Sequence, residues 1–497
     1  MRTAAVAFIL SMLCGTILTP IVRRLAHHFG LLDHALSPRK IHGRPVPRLG
    51  GIAIVIAFYA PLVGLLFFHS DVGGMFVADR SRAIGLFVGG LAIALLGLYD
   101  DLKGAGAVRK FVVQFLIAGF LYRLGFRIEA LANPFGDPIA LGWISLPFTL
   151  LWMVGVVNAL NLIDGLDGLA GGVAFVAVTI TFLVSLQRGH PLMMLFSAAL
   201  AGSIVGFLFY NFNPASIFMG DTGSMFLGFV LAATAVETNQ KASTAVAVII
   251  PTVALGLPIM DTLLAIGRRA WRGRPLFQAD KEHIHHRLLA RGLSHRQAVL
   301  VLYGFCVLLG LAALLLTYGN SGQAALLLVV LAVVAVILLR TLGYFRLGAN
   351  SAIERKRTRA LRAAVRPFSQ RLRRTKTLEE IWPVVTEAIS VFGAVGMNLR
   401  LGTAVDGNGG NLFSSGLDGL GTGSNVFRAQ FVVPVPGGKA TEQLLELVWC
   451  DGRREVDRDT EIAVDILCEY LGDAFEAVKE SGASATPSPP PTASKRA

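Results

Sequence analysis

Residues 142–172 read GWISLPFTLLWMVGVVNALNLIDGLDGLAGG. About 20 apolar residues in a row are enough to cross a bilayer, and this run closes on Asn158, Asn161, Asp164 and Asp167 with glycines between and after them. The same grammar recurs on either side. Asp100 and Asp101 end one apolar run, and Asp221 stands just before another, inside Asn211-Phe-Asn-Pro-Ala-Ser-Ile-Phe218-Met-Gly-Asp221-Thr-Gly-Ser224. A carboxylate at the edge of the hydrocarbon is costly and is rarely kept without a function. Several anionic oxygens in one place point to a divalent cation, and Mg²⁺ holding a diphosphate is the commonest reason to gather them.

The rest of the chain agrees with a membrane reading. Of 497 residues, 54% are hydrophobic and only 15% charged, with mean hydropathy +0.62, against about a quarter charged in soluble domains. Candidate spans lie near 3–22, 50–69, 83–99, 110–126, 142–160, 168–187, 192–210, 222–238, 243–265, 298–317 and 322–341. The fold expected is an all-α polytopic membrane protein of about 10–11 helices, carrying a small C-terminal α+β domain. The first span lacks a small-residue cleavage site and ends at Pro20, Arg23 and Arg24. It reads as retained, with a cleaved signal peptide as the alternative.

Lys and Arg cluster in alternate loops: Arg23 to Arg48, then Lys103 to Lys110, then Arg268 to Arg296. The positive-inside rule makes those loops cytoplasmic and puts every carboxylate above on that side. The net charge of +13 is then explained by anionic lipid, not by nucleic acid. Cys14, Cys306, Cys450 and Cys468 show neither metal spacing nor a disulfide pattern and read as reduced.

Composition changes near Arg340. Residues 1–341 form the spanning domain and 342–376 a basic juxtamembrane helix or linker. Residues 377–480 read as a cytoplasmic α+β domain, with helices at 377–392 and 459–479, strands at 396–401, 427–435 and 444–450, and a loop at 402–425. Residues 481–497 are Ala-, Ser- and Pro-rich and read as disordered.

Five motifs carry the chemistry. Adjacent residues on a helix diverge by about 100°, so Asp100 and Asp101 take different duties, one on metal and one on a proton or nucleophile. Asn161, Asp164 and Asp167, spaced by three, can share one helical or 3₁₀ face; a cap accounts for one of them but not for all. Phe218 can stack on a nucleobase or merely anchor at the interface. The loop Asp280-Lys-Glu-His283-Ile-His285-His286-Arg287, with Arg268, Arg269 and Arg274, suits phosphate oxygens better than zinc. Ser37–Gly51 is a second basic loop holding Arg39, Lys40 and His42. No Gly-x-x-x-x-Gly-Lys-Ser/Thr occurs, which disfavours ATP-driven transport.

With these blocks in this order, residues 1–340 resemble the polyprenyl-phosphate N-acetylhexosamine-1-phosphate transferases. That family includes phospho-MurNAc-pentapeptide translocase and the bacterial undecaprenyl-phosphate GlcNAc-1-phosphate transferases. The resemblance implies Mg²⁺ dependence (Mn²⁺ being an alternative) and transfer of a sugar-1-phosphate from a UDP-sugar to a polyprenyl phosphate, with release of UMP. It implies an active site facing the cytoplasm of a bacterial inner membrane, and often a homodimer. Asp221 and Asp101 are the expected metal ligands, and Asp100, Asp101 and Asp221 the expected catalytic group, Asp100 taking the acceptor's proton. Asp167, Asn211 and Phe218 fall around the uridine, and Asn161 and Asp164 on its sugar-phosphate side. His283, His285 and His286 fall at the diphosphate, and Lys40, His42 and Arg274 complete the expected substrate-binding set. The form of the histidine loop is similar to the GlcNAc branch, hence initiation of a cell-surface polysaccharide such as lipopolysaccharide O-antigen, teichoic acid or capsule. The rivals are phospho-MurNAc-pentapeptide transfer and, in another class, a transporter using the carboxylates as a relay. The C-terminal domain lies outside the resemblance, and a regulatory role for it rests only on position.

Overall fold

The computed structural model describes residues 1–33, 46–68, 70–131, 139–240, 249–271, 283–318, 321–341, 367–375, 377–401, 411–416, 426–433, 443–452, 456 and 458–480. Two compact units result, Met1–Tyr344 and Phe345–Ala497.

The first unit is helical: α1 (Arg2–His28), α2 (Gly50–Phe68), α3 (Ser70–Ala78), α4 (Arg80–Lys103), α5 (Ala107–Arg123), α6 (Ser145–Ile163), α7 (Leu169–Gln187), α8 (Pro191–Asn211), α9 (Gly220–Gln240), α10 (Ile249–Ala254), α11 (Gly256–Trp271), α12 (Ile284–Leu289), α13 (His295–Tyr318) and α14 (Ser321–Thr341). Two short hairpins, β1 (Leu32–Asp33) with β2 (Val46–Pro47) and β3 (Ala130–Leu131) with β4 (Ile139–Ala140), join them. Among the described residues, seven helices are long and apolar enough to cross a membrane.

Ten of the expected spans each fall on one helix. The span at 243–265 does not: α10 stops at Ala254 and α11 starts at Gly256. Pro258 brings no N–H to the Ala254 carbonyl, so the helical ladder is interrupted there.

The centre of the unit is α9, packed against α2, α4, α6, α7 and α8. Between apolar helices in lipid there is no hydrophobic drive, so close backbone approach at small residues does the work. A Cβ at Gly97 of α4 would lie 2.6 Å from the Asp221 carbonyl oxygen and the Thr222 Cα. A Cβ at Gly228 of α9 would lie 2.7 Å from Val157 Cα of α6. The glycines set helix spacing and so decide which helix ends meet.

The second unit is a four-stranded antiparallel sheet in the order β6-β5-β8-β7, from β5 (Gly396–Leu401), β6 (Asn411–Ser415), β7 (Phe427–Val433) and β8 (Gln443–Trp449). The helices α15 (Leu378–Val391) and α16 (Arg458–Glu480) share its core. Alternation decides the buried face: Met397, Leu399, Leu445, Leu447 and Trp449 join Val385, Leu467 and Leu471. Strand β6 corrects the reading of 402–425 as loop. It is five residues with two serines, too short to signal itself, and its pairing with β5 creates it.

Candidate active site

Four helix ends and one turn converge where α4 finishes and α9 begins. Asp100 and Asp101 lie in the last turns of α4, where the helix dipole disfavours anions, and each is compensated from elsewhere. Asp100 accepts the Ala105 amide at 2.6 Å and the Lys110 ammonium at 2.8 Å. Asp101 reaches across to α9, accepting the Asp221 and Thr222 amides at 2.8 and 2.9 Å and the Thr222 hydroxyl at 2.6 Å. Asp101 thus caps α9 from a neighbouring helix. The adjacent carboxylates face different partners, as their divergence requires.

Lys110 was not among the residues expected to act. Its ammonium bridges Asp100 and Asp221, 2.8 Å from an oxygen of each. On the sequence it counted only as an orientation marker. A signal was there: lysine in the first turn of a helix opposes the dipole, as aspartate does in the last. Asn161 of α6 completes the cluster, its amide donating to Asp221 at 3.0 Å and to Ser224 at 2.9 Å.

The expected shared face of Asn161, Asp164 and Asp167 is not formed. Helix α6 ends at Ile163, Asp164 is its C-cap with ψ of 50°, and Gly168 turns left-handed at φ 78°. Asn161 therefore faces Asp221, whereas Asp167 turns to the opposite segment. Its carboxylate accepts the Asn213 side-chain amide at 2.9 Å and the Ala215 N–H at 3.0 Å. Withdrawal from solvent, then the charges of Asp221, Asp101 and Asp167, push the Asp164 carboxyl up to about 7.

Asn211 is buried and ties two loops together, accepting the Gly168 amide at 3.1 Å and donating to the Ile217 carbonyl at 2.9 Å. Phe218 is held by its backbone, between the Pro47 carbonyl and the Gly50 amide. A second unexpected residue, His295 at the start of α13, accepts the Asp167 amide at 3.0 Å.

The histidines lie against this turn. A Cβ at Gly165 would come 2.5 Å from His285 Nε2, which is what that glycine permits. His285 is 2% exposed, and its Nδ1 has no hydrogen-bond partner among the described residues. Burial, then the neighbouring His286, pulls its pKa down to about 3, so it is a neutral imidazole at working pH. Its ring is parallel to His283 at 5.7 Å and tilted by 42° to His286 at 4.3 Å. A third unexpected residue, Asp261 of α11, accepts His283 Nδ1–H at 2.9 Å and the Ile284 amide at 3.0 Å. Lys40, His42 and Arg274 lie outside the described residues.

A divalent cation fits these donors. Asp100 and Asp221 already face one cationic nitrogen with hard oxygens. Among the described residues no three His, Cys, Asp or Glu side chains gather as a complete metal set. Mg²⁺ commonly takes one or two carboxylates and completes its shell with water and substrate phosphate. Asp101 has three hydrogen bonds into α9, so Asp221 and Asp100 present the less committed oxygens.

Residues 83–239 match the family described as glycosyl transferase family 4. The chain is 39% identical over 312 residues to a probable undecaprenyl-phosphate N-acetylglucosaminyl 1-phosphate transferase of Bacillus subtilis (strain 168), covering 63% of this chain and 84% of that protein. It is 36% identical over 338 residues to a decaprenyl-phosphate N-acetylglucosaminephosphotransferase of Mycolicibacterium smegmatis, 64% of this chain and 82% of the relative. A phospho-N-acetylmuramoyl-pentapeptide-transferase of Halalkalibacterium halodurans is 28% identical over 331 residues, 63% of this chain and 96% of the relative.

Proposed function

The chain belongs to glycosyl transferase family 4, a membrane transferase family, and from that membership we propose that it moves GlcNAc-1-phosphate from UDP-GlcNAc to undecaprenyl phosphate at the cytoplasmic face of a bacterial inner membrane. The higher identity to the GlcNAc relatives than to the pentapeptide relative supports this sugar. The observation that carries the chemistry is the Lys110 bridge between Asp100 and Asp221 where apolar helices end. A cation and paired carboxylates at that depth suit two phosphates, one on a soluble nucleotide and one on a lipid.

In the proposed reaction an oxygen of the lipid phosphate bonds to the β-phosphorus of the UDP-sugar. The bond from that phosphorus to the oxygen shared with the α-phosphorus breaks, and UMP leaves with the electron pair. Such chemistry depends mainly on positioning and neutralised charge. Asp221, with Asp100 or Asp101, would hold Mg²⁺, which supplies charge neutralisation at the diphosphate when bound. Lys110 donates to phosphate oxygen. Asp100 orients Lys110. Asn161 fixes the Asp221 carboxylate, and Asp167, Asn211 and Phe218 shape the uridine side. The carboxylates stand at helix ends on one side, not mid-span, which argues against a transport relay.

The test uses the full chain in detergent with undecaprenyl phosphate, a panel of UDP-sugars, and Mg²⁺ or EDTA, with UMP as the readout. UMP from UDP-GlcNAc alone, lost in EDTA, is expected. UMP only from the UDP-MurNAc-pentapeptide would move the protein to peptidoglycan synthesis, and none from any donor would sink the transferase reading.

A further inference from the structure

Asp261 has 3% of its surface exposed, yet it commits both oxygens to one short segment. A buried carboxylate is costly, and a leucine would serve the helix interior more cheaply. An ionised carboxylate only accepts. Its contact with His283 therefore makes Nδ1 the protonated nitrogen and leaves Nε2 as the acceptor of the neutral ring. The contact with the Ile284 amide fixes the backbone of the same residue pair. His283 stands at the N-cap of α12 and makes no capping bond itself; α11 supplies the cap. One carboxylate thus sets both the rotation of an imidazole and the place where its backbone starts.

The effect passes onward by packing. His283 is 5% exposed and lies parallel, within 4°, to the His285 ring. His285 in turn rests on Gly165, in the turn between Asp164 and Asp167. A turn of His283 therefore bears on a parallel ring that sits so near Gly165 that no side chain could fit between them.

We propose that Asp261 is a positioning residue for the sugar-nucleotide side of the site. It fixes the tautomer and rotation of His283 and, through the stacked rings, the seat of His285 on the Gly165 turn. This rests on the transferase reading above. A residue that merely capped α12 would tolerate asparagine, since an amide oxygen also accepts from Ile284. In Asp261→Asn that arrangement turns the amide N–H towards His283 Nδ1 and reverses the imidazole's tautomer.

The experiment compares wild type and Asp261→Asn as full chains in detergent, by kinetics, thermal unfolding and selective ¹⁵N-histidine spectra, with His283→Gln assigning the His283 signal. Asparagine is expected to raise KM for UDP-GlcNAc about tenfold or more while KM for undecaprenyl phosphate stays within about twofold, the scale of one charge-assisted hydrogen bond. The unfolding temperature should hold, and the Nδ1–H signal of His283 should be present in wild type and absent from the variant. Unchanged KM for UDP-GlcNAc, equal rises in both KM values, or a wild type without that Nδ1–H signal would each overturn the proposal. If wild type releases no UMP from any donor, the transferase reading fails, and the histidine signal still decides whether Asp261 holds His283. Should Asp261→Asn not fold, Asp261→Glu replaces it: the charge is retained but its reach changed, and a selective rise in KM for UDP-GlcNAc is again expected, an unaltered one overturning.

Discussion

Helix α9 carries Asp221 in its first turn and Glu237 in its last, about 24 Å apart by helical rise, and α4 attends both. At the far end Arg82 of α4 lies 3.2 Å from Glu237, and Glu237 is 4% exposed. Thr238 beside it shares a hydrogen bond with Ser185 at 3.0 Å. At the near end Asp221 meets a lysine shared with Asp100, an amide shared with Ser224, and a backbone capped by Asp101. The first arrangement centres on a buried carboxylate beside one guanidinium. The second is made of groups with more than one partner each, which under the proposed function lets a phosphate or cation displace one contact while another remains. Both ends pin the same two helices, and only one is built for exchange.

Breaking that contrast is a matter of choosing the end. Asp221→Asn should cut turnover about 10²–10³-fold, the scale of losing one electrostatic group at a reacting phosphate, with the fold kept; UMP release and thermal unfolding decide, and undiminished turnover would remove Asp221 from the site. Lys110→Met should lower turnover about 10–100-fold and flatten its dependence on ionic strength, measured by UMP release across a salt series. Asp101→Ala should act on both sides of the comparison: it removes a cap worth about 1–2 kcal/mol and lets Asp221 drift, so stability and turnover fall together. Glu237→Gln should leave kcat within about twofold while destabilising by about 1–3 kcal/mol, the cost of unpairing a buried group, read by thermal unfolding. A large loss of turnover in Glu237→Gln would show that the two ends are not separable.

Much of this was legible in the chain. The apolar runs gave the helices because spanning length and composition are local properties, and Asp100, Asp101, Asn161 and Asp221 do meet. The shared face of Asn161, Asp164 and Asp167 was misread because spacing by three implies a face only while the helix continues, and it stops at Ile163. Lys110, Asp261 and His295 were overlooked for a common reason. Each acts by contact with a residue 22 to 128 positions away, and none sits in a conspicuous string. In the second unit β6 exists through its partner β5, a non-local pairing that periodicity does not announce.

Gly97 and Asp101 are four residues apart, one turn of the same face of α4. The glycine touches the backbone of Asp221 and Thr222, and the aspartate caps it. Against any ligand seated on the carboxylates, that seam leaves no room for substitution. Even a single methyl group at residue 97 would push α4 off the first turn of α9 and part Asp101 from the backbone it caps.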